Sequence, residues 1–429
     1  MTDTVSKPLR TSLRRAPFRW LTIGWFFTNF GDSALYLVLA IWVKNLTGSD
    51  AAAATVFVCL GLPALIAPFA GQLADRVSRR KLLIATNFSI AVIVLALLFV
   101  KSAEDIWIIY AVTLAYGTAA YLTAAAQAGL LRDMLPDEEL GAANGFFQTI
   151  DQGLRIVSPL IGTGLYVLLG GGAVAVFTAA CFVAMGCVLF FVKVTESVAE
   201  ARAEGVSYWS EVTEGARALF SEPTLRLLTI AVAISFGAAG LINVLAFPLI
   251  EQGLGQPPET LSVLVTIQGV GAVLGGITSA AVLRKIGERR LVGLGLWFMS
   301  LGLVMALASV LFTPSGSVLG FICMALALGT MGFGIPWVVV GIATYRMRVT
   351  PARLQGRTSA AMNVAFNVPS TIATIAGAAL IAVVDYRILV VVCIVAIAAV
   401  AIVCRPFKRD AGELSTRSAT RTIEDAAPR

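Results

Sequence analysis

Residues 82–100, 174–192 and 291–312 each run without a single charged side chain. Such a run leaves few options. As an α-helix it satisfies its own backbone hydrogen bonds, and about 18 or more residues cross ~30 Å of hydrocarbon. The pattern recurs along the chain. It predicts twelve spans, at 19–44, 52–76, 81–100, 105–131, 140–168, 172–194, 225–251, 260–284, 290–312, 316–345, 354–384 and 386–406. Only 13% of residues are charged, against about 25% in a soluble domain. The chain reads as an all-α membrane protein.

The charges set its direction. Of 32 Lys and Arg, only Lys44, Lys101 and Arg387 fall in the loops of one face, and Arg155 sits deep within a span. The rest cluster at the opposite face, which the positive-inside rule makes cytoplasmic. Both termini then lie in the cytoplasm of a cell bounded by this inner membrane. Lys7, Arg10, Arg14, Arg15 and Arg19 precede the apolar stretch from Trp20 to Val43. That stretch is too long for a cleaved signal core and reads as a retained first span.

The longest connection, 195–224, divides the spans six and six. The expected organisation is a bundle over 1–194, a cytoplasmic linker over 195–224, a second bundle over 225–406 and a disordered tail over 407–429. The linker has an amphipathic pattern in Trp209, Val212, Ala216, Leu219 and Phe220. The halves also echo each other at an offset of ~210, in the basic turns 77–81 and 286–290 and in Pro159 and Pro369. Paired repeats around a central site are a recurrent transporter design.

Where the second span meets the basic face stands Gly71-Gln-Leu-Ala-Asp75-Arg76-Val-Ser78-Arg79-Arg80-Lys81. This resembles the signature loop of the major facilitator superfamily, with Ser78 in place of its second glycine. The resemblance implies a gating loop: Gly71 admits a neighbouring helix, Asp75 faces the start of the eleventh span near Gly356, and Arg76, Arg79 and Arg80 supply the basic cluster. As plain topology anchors the same arginines would need neither Gly71 nor Asp75. The segment from Pro136 to Asn144 looks like the loop before the fifth span in the macrolide-efflux branch. Gly153, Pro159, Gly162 and Gly164 resemble the antiporter motif, with Ser158 and Thr163 replacing two of its glycines. A generic small-residue packing face would read alike. Arg353 to Arg357 is similar to the family's entry to the eleventh span. The family's usual arginine in the fourth span is missing from 106–131. Two six-helix bundles, with a cavity lined by spans 1, 4, 7 and 10, follow from the resemblance.

Asp32 and Arg155 lie at nearly equal depth near the bilayer centre, where a lone charge costs ~2.5–3.5 kcal/mol. Asp151 is one turn from Arg155 on the same face. One guanidinium and two carboxylates leave a net negative charge that a proton would neutralise, which suits proton coupling. A static ion pair joining the first and fifth spans would use the same residues. Asn29, Asp32 and Tyr36 share one face of the first span, and Asn243 and Phe247 one face of the seventh. Tyr116, Gln127, Gln268, Trp337, Asn363 and Asn367 are further candidates for cavity lining, although each also suits helix–helix packing.

Several classes are excluded. There is no histidine, which removes histidine relays and most metal chemistry. Cys59, Cys181, Cys187, Cys323, Cys393 and Cys404 form no CxxC pair. No nucleotide-binding loop occurs, and no nucleophile constellation marks an enzyme. The expectation is a monomeric secondary transporter that needs no cofactor or metal. It would use the proton gradient to export an amphipathic drug or natural product. Siderophore or lipid export, or a sensor or scaffold role, are the alternatives.

Overall fold

The computed structural model describes residues 11–66, 77–194, 208–351 and 354–404. Among them all regular structure is helical. The helices are α1 (Ala16–Thr47), α2 (Asp50–Gly61), α3 (Arg79–Leu95), α4 (Ile106–Met134), α5 (Asp137–Leu169), α6 (Gly171–Leu189), α7 (Tyr208–Ser221), α8 (Pro223–Pro248), α9 (Thr260–Ile286), α10 (Glu288–Phe312), α11 (Val318–Val349), α12 (Gln355–Leu380) and α13 (Tyr386–Val403). Eleven are long and apolar enough to cross a membrane. Of the second expected span, 52–76, α2 and a 3₁₀ turn account for Asp50 to Ile66, and the rest lies outside the described residues.

Local chemistry fixes the boundaries. α1 ends at Gly48, whose φ of 67° is left-handed and whose N–H closes on the Lys44 carbonyl. Ser49 caps α2 by accepting from the Ala52 N–H. Ser78 caps α3 by accepting from the Lys81 N–H, at φ −56°. The departure from glycine at this position therefore supplies a helix cap and needs no left-handed backbone. Pro159 and Pro369 lie inside α5 and α12, and Pro248 ends α8 in a π-turn over Leu249–Gly253.

Two six-helix bundles result. In one, α1 packs on α5 and α6, and α3 on α4 and α6. In the other, α8 packs on α12 and α13, and α10 on α11 and α13. The halves meet through α5 against α9 and α2 against α12. Those two pairs exchange under the repeat seen in the sequence. The amphipathic linker segment forms α7, which lies against α12 and buries Leu219. Large apolar side chains such as Val92, Ile277, Phe312 and Val395 face outward, as lipid contact requires.

Below, the basic face is the end of the spans carrying Arg79, Arg132, Arg284 and Arg346, and the far face is the end carrying Lys44. At the basic face the repeat reappears with its signs exchanged. Arg79 at the start of α3 pairs with Asp133 at the end of α4, at 2.5 Å. Glu288 at the start of α10 pairs with Arg348 at the end of α11, at 3.1 Å.

Of the antiporter-like glycines, only Gly162 marks a close approach. A β-carbon there would sit 2.9 Å from the Ala34 Cα in the backbone of α1. On Gly153 or Gly164 it would meet nothing within 4 Å. Gly162→Val should therefore cost about 1–3 kcal/mol through overpacking. Gly164→Ala should stay within about 0.5 kcal/mol of the parent. Thermal unfolding in detergent checks both, and equal losses would remove the packing role of Gly162.

Candidate functional site

The far face is closed by polar contacts between the halves. Lys44 Nζ lies 2.7 Å from Asp50 Oδ1 and 2.7 Å from Glu251 Oε2. Asp50 Oδ2 accepts from the Gln252 amide at 3.0 Å, and Asn45 donates to Glu259 at 2.7 Å. The Lys44 side chain is only 6% exposed. One ammonium thus holds a carboxylate of its own half and one of the other. Deeper in, Thr266 on α9 donates to the Ile156 carbonyl on α5 at 2.9 Å. Nearer the basic face, β-carbons on Gly145, Gly153 or Gly276 would meet nothing within 4 Å.

Among the described residues, three cavities lie behind this closure. The first is a polar chamber of about 280 Å³ within the N-terminal half, walled by α1, α3, α4, α5 and α6. Asn29, Asp32, Tyr116, Gln127 and Asp151 line it, as the sequence suggested. The second, about 260 Å³, is apolar and belongs mainly to the C-terminal half, with Leu264, Leu303, Met299, Met324 and Met331 in its wall. Tyr36, Pro159, Asn243 and Gln268 sit where it faces the N-terminal half. The third, about 180 Å³, lies between the halves and shares Tyr36 and Asn243 with the second, adding Asn367. Asp32 and Tyr36 are one turn apart, so α1 presents a carboxylate to the chamber and a phenol ring to the other two cavities.

The charges are near one another without being joined. Asp32 makes no salt bridge or hydrogen bond to a described residue; Arg155 and Asp151 act on it only through their charge. Arg155 is exposed. Asp151 accepts a 2.5 Å hydrogen bond from the Trp25 indole. The helix periodicity placed Asp32 and Arg155 at one depth, with Asp151 one turn away, but did not show that they stand apart in this conformation.

Other candidates fall elsewhere. Phe247 is fully buried in the core. Trp337 donates to the Gly275 carbonyl at 3.0 Å and packs on Phe298 and Phe333. Asn363 is exposed and accepts, through its carbonyl, from Asn367. None of these three lines a cavity described above. Gly71, Asp75 and Arg76 of the gating loop lie outside the described residues. Arg79 of the loop pairs with Asp133, and Arg80 donates to the Leu189 and Phe190 carbonyls at the end of α6, where a cation complements the helix dipole. Glu139 accepts from Ser12 at 2.6 Å and pairs with Arg15 at 3.0 Å, tying the start of α5 to the segment before α1.

Sequence reasoning missed Lys44 as a gate, because it counted only as a far-face charge. Asp50, six residues on, was the available signal. It also missed Thr28, Thr86 and Asn87, the last a lone amide inside a charge-free run.

The sequence pattern of the Major Facilitator Superfamily matches residues 21–245 and again 228–425. The chain belongs to the major facilitator superfamily. It is a multi-pass membrane transporter of that type. It is 24% identical over 349 residues to the uncharacterized MFS-type transporter YfiS of Bacillus subtilis (strain 168), covering 80% of each chain. It is 22% identical over 314 residues to the lysophospholipid transporter LplT of Pectobacterium carotovorum subsp. carotovorum (strain PC1), covering 72% of this chain and 74% of that one. The fold matches the crystal structure of a bacterial homologue of the iron transporter ferroportin in its inward-facing state, with a TM-score of 0.68 at 16% identity, over 91% of this chain and 98% of that one. In this major facilitator transporter the first match covers the N-terminal half and continues through α7 into α8, and the second covers the C-terminal half.

The far-face contacts make a definite prediction. Lys44→Met leaves Asp50 and Glu251 facing each other without their shared cation, a loss of ~3 kcal/mol for a largely buried pair. The far face should then open more often. A cysteine placed at Leu261, which is 5% exposed behind the closure, should react at least about tenfold faster with a maleimide, the ratio that about 1.4 kcal/mol of that loss already produces. Lys101→Met, at an exposed loop, should leave the rate unchanged. Equal rates in Lys44→Met and its parent would remove Lys44 from gating.

Proposed function

We propose that this transporter exports an amphipathic small molecule in exchange for protons. The basic face is cytoplasmic, and access alternates between the two faces. The observation that carries the reading is the join at α1. A chamber holding Asp32, with Asp151 and Arg155 beside it, lies one helical turn from an apolar cavity in the other half. A molecule with a polar head and an apolar body matches both. A buried carboxylate whose surroundings change with the open side takes up a proton on one side and releases it on the other. No ion pair occupies Asp32 in this conformation, which favours a titrating role over a static one. The Met-rich wall of the apolar cavity adapts to varied shapes, as an exporter of drugs or natural products needs.

A second reading is transport of a lysophospholipid. It is favoured by the same apolar cavity, which has the character of an acyl-chain site, and by the likeness to LplT.

Uptake into inside-out vesicles, with a panel of lipophilic cations, macrolides, siderophores and lysophospholipids, tests both. Export of a drug-like compound that stops with an uncoupler supports the first reading. Uncoupler-insensitive movement of lysophospholipid alone supports the second. Asp32→Asn should abolish the gradient dependence while leaving thermal stability within about 1 kcal/mol. Arg155→Ala should cut transport about tenfold or more. Because its guanidinium is exposed and unjoined, it should be equally mild on stability. Normal coupling in Asp32→Asn would end the proton-coupling proposal and turn attention to Asp151.

A further inference from the structure

The polar chamber carries more than the charge of Asp32. Three side-chain atoms in its wall are buried and have no hydrogen-bonding partner among the described residues: Thr28 Oγ1, Asn87 Oδ1 and Gln127 Nε2. Their residues are 8%, 1% and 6% exposed. Buried polar groups are nearly always paired, because an unpaired one costs about 1–3 kcal/mol. Three in one wall, beside an unjoined carboxylate, is a concentration that a packing role does not explain.

The chemistry of the set is specific. The amide orientation of Asn87 is fixed, because its Nδ2 donates to the Leu83 carbonyl at 2.8 Å. Its Oδ1 is therefore an acceptor. Asp32 offers two more acceptor oxygens, and the Thr28 hydroxyl accepts as readily as it donates. Of the three orphaned atoms, Gln127 Nε2 alone must donate. The cluster of Thr28, Asp32 and Asn87 is acceptor-rich and anionic, so it suits a ligand with several N–H donors and a positive charge. A metal ion fits less well: among the described residues no group of three His, Cys, Asp or Glu side chains could hold one.

We infer that the chamber inside the N-terminal half is a binding site for a protonated primary amine, either a small alkylammonium or the ammonium head of an amphiphile. Asn87, Thr28 and Asp32 take its three N–H donors, and Gln127 donates to an oxygen beside the amine. The site selects by donor count, not by charge alone. A quaternary ammonium of equal charge has no N–H to give and leaves Asn87 Oδ1 unpaired, the situation in which polar sites reject a look-alike ligand. The apolar cavity across α1 then receives the body of the ligand. The inference rests on the transporter reading of these cavities but not on the direction of transport or on proton coupling.

The test is binding to the purified full-length protein in detergent, without a gradient. The probes are octylamine, N,N-dimethyloctylamine and trimethyloctylammonium at a pH where all three are cationic. They share a tail and a charge and carry three, one and no N–H donors. Affinity, read as the concentration dependence of the melting temperature, should fall along the series. Octylamine should bind at least about tenfold tighter than the quaternary probe, the worth of roughly one charge-assisted hydrogen bond. Asn87→Leu should bring that ratio within about twofold by raising the octylamine Kd while leaving the quaternary Kd in place. Thr28→Val, which keeps the shape of the side chain, is the second variant if Asn87→Leu does not fold. A ratio within twofold in the parent protein would overturn the inference, as would a full ratio surviving in the folded variants. So would stabilisation by sodium chloride over choline chloride that Asn87→Leu removes, since it assigns the acceptors to a bare cation. Uptake into inside-out vesicles separates the two claims. Head-group discrimination without uptake ends the export proposal and keeps the site, whereas uptake without discrimination ends the site alone.

Discussion

Hydrocarbon neither donates nor accepts hydrogen bonds, and it does not solvate charge. Everything in this molecule follows from that. Each span must be a helix, and every ionisable group at membrane depth must face protein or a cavity. Asp32, Asp151 and Arg155 are such groups. They gather on the inner faces of α1 and α5. Asp151 is steadied by the Trp25 indole. Asp32 makes no hydrogen bond or ion pair to a described residue, in a wall that also holds Thr28, Asn87 and Gln127.

The two halves divide the chemical labour. The N-terminal half carries the carboxylates Asp32 and Asp151 in a polar chamber; the C-terminal half carries methionines and leucines around an apolar cavity, with Asn243 and Gln268 at its edge. They touch through α5 with α9 and α2 with α12, pairs that the internal repeat makes equivalent. Contacts within each half outnumber those between the halves, and the contacts between them are polar at the far end. Lys44 shows how the far end is held. Its ammonium bridges Asp50 and Glu251, and Asn45 reaches Glu259. These contacts are exchangeable with water, unlike the backbone-to-backbone approach of Gly162 to Ala34, which stays within one half.

Much of the architecture was legible in the sequence because a charge-free run is a one-dimensional signal. The expected span 260–284 became Thr260–Ile286, and 386–406 became Tyr386–Val403. The amphipathic pattern of the linker became α7, with Leu219 buried. The site was legible only in part. Helical spacing shows which residues share a face but not what that face meets. Asn29, Tyr116 and Gln127 meet a chamber, whereas Phe247 meets core and Trp337 meets a glycine carbonyl and two phenylalanines. Depth along a helix placed Asp32 and Arg155 at one level but carried no information about the distance between them. Asn87 was hidden by its own run, where one amide among aliphatic residues leaves the hydropathy almost unchanged. Lys44 was hidden because a charge at a span end serves topology and gating equally well.

The claim that the halves rock about this interface, driven by protonation inside the N-terminal half, can be read directly as distances. In a protein whose six native cysteines are replaced, spin labels at Ala103 and Pro314 report the far face. Labels at Arg132 and Lys285 report the basic face; all four positions are exposed. Electron–electron resonance distances are then recorded as the pH is lowered from about 8 to 5, the range over which a buried carboxylate takes up its proton. The account predicts opposite movements: as one pair lengthens the other shortens, and Asp32→Asn holds one distribution at every pH. Distances that stay fixed on both faces, or that lengthen together, would contradict it.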